Sequence, residues 1–191
     1  MEVGLRGSKL GLGATVGSLG AALLLAFVAL QSTPKVWLLE YYAGTALDGP
    51  VTRAWIRQAD FDVPNVSLLR GLPNREDFSL RIHSCLILPA AGAVAFRLKA
   101  DDRARLYVDG ALVLDSAVWP TKKKKGKGKP GDASGGKLDM MPGRHAISIE
   151  YVNVHGSGSL GLTMAPPGGH EFRSLRTYLA RPSSSGKCDK P

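Results

Sequence analysis

The stretch ADDRARLYVDGALVLD, Ala100 to Asp115, decides the fold class. Arg105 and Tyr107 alternate with Leu106 and Val108, the period-two pattern of a half-buried strand. Asp109-Gly110 then supplies the positive φ angles that a tight type I′ turn needs, and Ala111 to Leu114 forms a second apolar piece. The stretch is an antiparallel hairpin. Nothing in a hairpin requires the adjacent Asp101-Asp102 at its entrance. Two readings of that pair stand open. The carboxylates cap the loop by accepting backbone N–H bonds, or they supply oxygen ligands to a hard cation such as Ca²⁺, without which neighbouring carboxylates repel.

The same short periodicity runs outward in both directions. Upstream it marks Val36 to Tyr42, Val51 to Ile56, Phe78 to Leu88 and Val94 to Leu98. Downstream it marks Leu138 to Met141, His145 to Val152 and Ser159 to Met164, with Pro142-Gly143 as a turn. About nine short strands with frequent turn signals predict an all-β, antiparallel sandwich or barrel. No convincing amphipathic helix follows Pro34, although Phe172 to Leu179 has room for a turn or two. The β domain is placed at 35–168, interrupted by a Lys-rich loop at 121–137. The polar end, within 169–191, is expected to be partly disordered.

The first 34 residues differ from the rest. Leu10 to Pro34 carries no charge and centres on Ala21 to Leu30, behind Arg6 and Lys9. Such a segment reads as one apolar helix, either an uncleaved signal-anchor or a cleaved signal peptide. In both cases the residues from Lys35 onward are expected outside the cytoplasm, as a single-pass membrane protein or a secreted one. The formal charge of +9 is concentrated. Lys122, Lys123, Lys124, Lys125, Lys127 and Lys129 lie among Gly, Ser and Pro with no aromatic between them. Nucleic-acid recognition would add stacking side chains or a recognition helix, so no nucleic-acid partner is predicted. Cys85 in a strand and Cys188 in the tail admit two readings, a bridge tethering the tail or a small buried hydrophobe at Cys85.

Catalytic constellations are not apparent. There is no nucleophile elbow, no phosphate-cradling glycine loop and no zinc-type histidine pair. His83, His145, His155 and His170 are scattered over different elements. Two acids adjacent in one loop cannot flank a glycosidic bond, which needs carboxylates on opposite sides of a cleft. A non-catalytic protein is expected.

Three segments together resemble a known family. WLLEYYAG, NREDFSLRIHSCLILPAAGAVAFRLKADDRARLYVDGALVLD and MPGRHAISIEYVNVHGSGSLGLTM occur in the order of the protective-antigen-type (PA-14) domain. The resemblance spans about Val36 to Met164, and DDRARLYVDG is its specific part. It implies a β-sandwich or barrel module of the kind attached to glycosidases, adhesins and toxins, with carbohydrate or other ligand recognition as its role. In the lectin-like branch the aspartate pair holds Ca²⁺, which in turn holds sugar hydroxyls. Carried over, the resemblance makes Asp101 and Asp102 metal ligands and Asn153 the completing amide. His155 and the glycines beyond it would shape the rim, and Arg103 and Trp119 are further candidates for contacting the ligand, Trp119 either stacking on a ring face or filling the core. Arg103 stands where a glycine is common, and it has the alternative of folding back to neutralise the pair. The resulting expectation is a membrane-anchored or exported module that binds a glycan or cell-surface ligand through calcium. The alternatives are an assembly module contacting protein partners without metal or sugar, and a hydrolase with an unrecognised acid pair.

Overall fold

A computed structural model describes residues 34, 36–62, 77–116, 132–154 and 158–188. The apolar N-terminal segment, Trp119, His155 and all the run lysines lie outside the described residues. Among the described residues no helix is long and apolar enough to cross a membrane.

The domain is a sandwich of two antiparallel sheets. One has seven strands in the order β2-β1-β4-β9-β6-β7, with β12 also pairing β4. The other has five, β11-β10-β5-β8, with β3 also pairing β10. The first sheet is built on β1 (Trp37–Ala43), β2 (Val51–Ile56), β4 (Phe78–Leu88), β6 (Arg103–Val108), β7 (Ala111–Asp115) and β9 (Gly143–Asn153). The second is built on β5 (Gly92–Ala100), β8 (Asp132–Met140) and β10 (Ser159–Ala165). All nine strands read from the periodicity are present. Three two-residue strands join them: β3 (Phe61–Asp62), β11 (Arg173–Ser174) and β12 (Leu179–Ala180). These are too short to show a period, and only pairing to a neighbour makes them strands.

Two boundaries differ from expectation. β8 begins at Asp132, inside the segment read as a Lys-rich loop over 121–137, because Ala133 and Ser134 pair with Leu98 and Arg97 of β5. Gly136 is required there. A Cβ would come within 2.9 Å of the Val113 side chain of β7, so glycine lets the edges of the two sheets meet. The tail also contributes structure. β11 pairs β10, β12 pairs β4, and a 3-10 turn at Leu175–Tyr178 lies between them. Of the two readings of cysteine, the bridge is present: Cys85 and Cys188 form a disulfide with Cα atoms 5.4 Å apart.

Alternation explains the core. β4 turns Phe78, Leu80, Ile82, Leu86 and Leu88 inward, and β9 turns Ile147, Ile149 and Tyr151 inward. Phe96 and Leu98 of β5 and Leu162 and Met164 of β10 meet them from the other sheet. The opposite parity of the seven-stranded sheet carries charge. Across successive strands the register sets Arg53 beside Glu40, Glu40 beside Arg81, Arg81 beside Glu150, Glu150 beside Arg105, and Arg105 beside Asp115. The row alternates in sign over its whole length. Its contacts are close: Arg53 to Glu40 at 2.9 Å, Arg81 to Glu150 at 2.9 Å and Arg105 to Asp115 at 2.8 Å. Opposite charges directly across strands favour this register over any slipped one.

Glu40 and His83 give the fold an acid limit. Burial pushes the Glu40 carboxyl up, but hydrogen bonds from Arg53 and Tyr42 outweigh it and hold Glu40 below its ordinary value. Burial likewise holds the His83 imidazole below the ordinary histidine value, although Glu40 pulls the other way. The 3.6 Å contact between them is therefore one of neutral imidazole with carboxylate at neutral pH. Both folded-state values are depressed, so both contributions are lost on acidification. The His83 contribution is complete above the ordinary histidine value of 6.5 and the Glu40 contribution above the ordinary carboxylate value of 4.5, and each falls as pH drops toward its folded value. Urea midpoints are expected to decline in two stages below neutrality, and His83→Gln to remove the upper stage. A flat profile down to the lower stage in the parent protein would contradict this.

Candidate functional site

Two crossovers between the sheets lie side by side and build the site. Asp101 and Asp102 carry the chain from β5 in the five-stranded sheet to β6 in the seven-stranded one. The segment after Asn153 carries it back from β9 to β10. Ala100 pairs with Leu160 in one sheet and Arg103 with Val152 in the other. With both pairings fixed, the ends of the two connections have to lie together.

Hydrogen bonds fasten them. The Asp101 N–H donates to the Ser159 carbonyl at 2.9 Å, and the Asp102 carboxylate accepts the Val154 N–H at 2.7 Å. Asp102 has φ of 72°, the left-handed region that Asp tolerates better than most residues. Both aspartates are exposed, whereas Asn153 is fully buried at 0%. The Tyr151 hydroxyl donates to Asn153 Oδ1 at 3.2 Å. Burial first, and then the charges of Asp102 and Asp101, hold the Tyr151 phenol far above its ordinary value, so it keeps its proton and stays a donor.

These bonds fasten the Asp101-Asp102 turn to Ser159 and to Val154, the residue after Asn153. Arg103 is exposed at the start of β6. The loop-capping reading holds for Asp102, but its donor comes from the other crossover rather than from its own turn. Trp119 and His155 lie outside the described residues. Of the other histidines, His145 holds the far end of the hairpin. Its Nδ1 lies 2.7 Å from the Asp109 carboxylate and its Nε2 lies 2.8 Å from the Met141 carbonyl.

Among the described residues no three His, Cys, Asp or Glu side chains group as metal ligands. The donors at the crossovers are instead two carboxylates and an amide, all of them oxygen. That chemistry fits a hard cation, which fills a shell of 6–8 oxygens with carbonyls, water and ligand hydroxyls. One oxygen of the Asp102 carboxylate accepts the Val154 N–H.

Tyr151, Gly158 and Ser159 stand beside these residues, in a segment marked by both the strand periodicity and the family resemblance. Tyr151 and Asn153 share an inward parity on β9, which was the available signal.

A model of the PA14 domain matches residues 67–185. The chain belongs to the PA14 domain family. Among solved structures, an anti-sigma factor domain-containing protein from Clostridium clariflavum is similar at a TM-score of 0.60 and 22% identity, over 78% of this chain and 50% of that one. The A domain of Epithelial Adhesin 9 from Candida glabrata, in complex with Galβ1-4GlcNAc, gives a TM-score of 0.58 at 12% identity, over 81% and 93% of the two chains. The PA14 domain of the MpAFP antifreeze protein gives 0.56 at 16% identity, over 78% and 93%. In sequence, an alpha-agarase of Thalassotalea agarivorans is 30% identical over 95 residues, which is 48% of this chain and 6% of the agarase. The present PA14 domain therefore spans a small part of that enzyme and half of the Clostridium protein.

Proposed function

We propose that this PA14 domain is a non-catalytic carbohydrate-binding module that holds its glycan through Ca²⁺. The observation that supports the reading is the fastening of the Asp101-Asp102 turn to Ser159 and Val154, beside the end of β9 where Asn153 stands. A neighbour of the same fold, the adhesin A domain, is described in complex with a disaccharide, which supports a glycan as the class of ligand. Asp101 and Asp102 would hold the ion with their carboxylates and Asn153 with its amide oxygen. When bound, calcium would supply open coordination positions for the vicinal hydroxyls of a sugar. Arg103, exposed beside the pair, would contact the ligand at the rim, with Trp119 and His155 as further contacts.

The module is carried, on this reading, by an N-terminal anchor or secreted after export. The disulfide between Cys85 and Cys188 supports an oxidising compartment outside the cytoplasm. The Asp102 cap on Val154 favours one rival, an assembly module in which the pair only shapes the loop. Glycan-array binding in calcium and in chelator separates the two. Binding that disappears in chelator is expected, and a protein that captures no glycan in either condition would support the rival.

A further inference from the structure

We propose that the Tyr151 hydroxyl is the positioning group of this site, orienting Asn153 directly and Asp101 through Ser159. The inference rests on the reading of the crossovers as a cation and glycan site. Tyr151 is completely buried, and its ring packs on Phe78 with centroids 6.0 Å apart. Phe78 in turn stacks on Tyr41 at 5.9 Å. Phenylalanine would fill that core position equally well, and a buried hydroxyl is costly unless it is bonded. This one is bonded on both sides. It donates to Asn153 Oδ1 at 3.2 Å and accepts the backbone N–H of Ser159. The carbonyl of the same Ser159 accepts the Asp101 N–H at 2.9 Å. A single hydroxyl thereby joins the amide ligand and the aspartate turn.

The donor role selects the orientation of the amide. A hydroxyl donating to Asn153 keeps the carbonyl oxygen, rather than the NH₂ group, at the crossovers. A carbonyl oxygen is the end of an amide that a cation takes, whereas an NH₂ group would repel one. Gly158 makes the arrangement possible. A Cβ at that position would collide with both the Tyr151 hydroxyl and Asn153 Oδ1, so only glycine lets the return strand close on them. Groups behind a metal ligand that fix its direction commonly matter to affinity about 10- to 100-fold.

The test compares the full chain with its Tyr151→Phe variant, which keeps the ring and removes only the oxygen. Calorimetric titration with CaCl₂, well below the melting temperature, is expected to show Kd weakened about 10- to 100-fold. Hydrogen exchange in the metal-free proteins is expected to show faster exchange at the Asp101 and Ser159 amides, with the rest of β9 unchanged. A purely structural role would lower the melting temperature while leaving Kd and the two local amides as they were, and would overturn the proposal. Gly158→Ala should reproduce the loss of affinity with Tyr151 intact, and a parental Kd in that variant also counts against it. If the parent itself binds no calcium, the calcium reading fails, and the exchange at Asp101 and Ser159 alone decides whether Tyr151 organises the crossovers.

Discussion

Cys188→Ser should lower the stability of this domain by about 4 kcal/mol, the scale expected for opening a loop of roughly a hundred residues. The bridge spans a sequence separation of 103, so it constrains most of the unfolded β domain. Native contacts add to that constraint. The tail is laid over the outer face of the seven-stranded sheet, where Arg181 stacks on Trp55 at 3.8 Å and Gly186 meets the His83 ring. Leu38 and Cys85 point to that face and are nevertheless buried, at 2% and 0% exposure. For a chain of this size the loss corresponds to a fall of about 10 °C in Tm. Reduction of the parent protein should produce a similar fall. The double variant Cys85→Ala, Cys188→Ser should be little worse than Cys188→Ser alone, because both remove the same bridge. Superimposable melting curves for oxidised and reduced protein would show that the tail is held by its other contacts.

The second large effect is expected at Glu150. Its Oε1 accepts from Arg81 Nε at 3.2 Å and Nη2 at 2.9 Å, and its Oε2 accepts the Tyr107 hydroxyl at 3.1 Å. The side chain is 20% exposed and Arg81 is 34% exposed, so water screens the pair in part. Isolated surface ion pairs contribute little. Here three donors lose a shared acceptor, and Arg81 and Arg105 are left as neighbouring cations across β9. Glu150→Ala should therefore cost about 2 kcal/mol, between the surface and buried limits. Glu150→Gln keeps an acceptor and should cost about half as much. Chemical denaturation of both variants checks the order. Equal stability of Glu150→Ala and the parent would reduce the alternating row to an incidental pattern.

Much of this architecture was legible because β-strands announce themselves at period two. Leu106 and Val108, Ile147 and Ile149, and Leu160 and Leu162 all follow the parity that the chain displays, and all are buried. Asp109-Gly110 likewise turns with φ of 50° and 80°, as a type I′ turn requires. The illegible parts depend on long-range pairing. β11 and β12 become strands only by meeting β10 and β4, and β8 is drawn through glycine-rich sequence by its pairing with β5. The charged row is also invisible locally, since Arg53, Glu40, Arg81, Glu150, Arg105 and Asp115 come from separate strands. For the proposed site, the family motif points to Asp101, Asp102 and Asn153, but not to the Tyr151 hydroxyl proposed to join them. Tyr151 looked like one more inward aromatic of β9. Its hydroxyl acquires meaning only when the return crossover brings Ser159 and Gly158 against it.

The most direct measurement is glycan-array binding of the full chain in calcium, repeated for Asp102→Asn. Asparagine tolerates the left-handed backbone at this position and can still accept the Val154 N–H. The substitution therefore removes charge from the crossover while leaving its fastening in place. The account predicts calcium-dependent capture of specific glycans by the parent and at least a tenfold loss in the variant, about 1.4 kcal/mol or more. Undiminished glycan capture by Asp102→Asn, or capture by the parent that survives chelation, would contradict it.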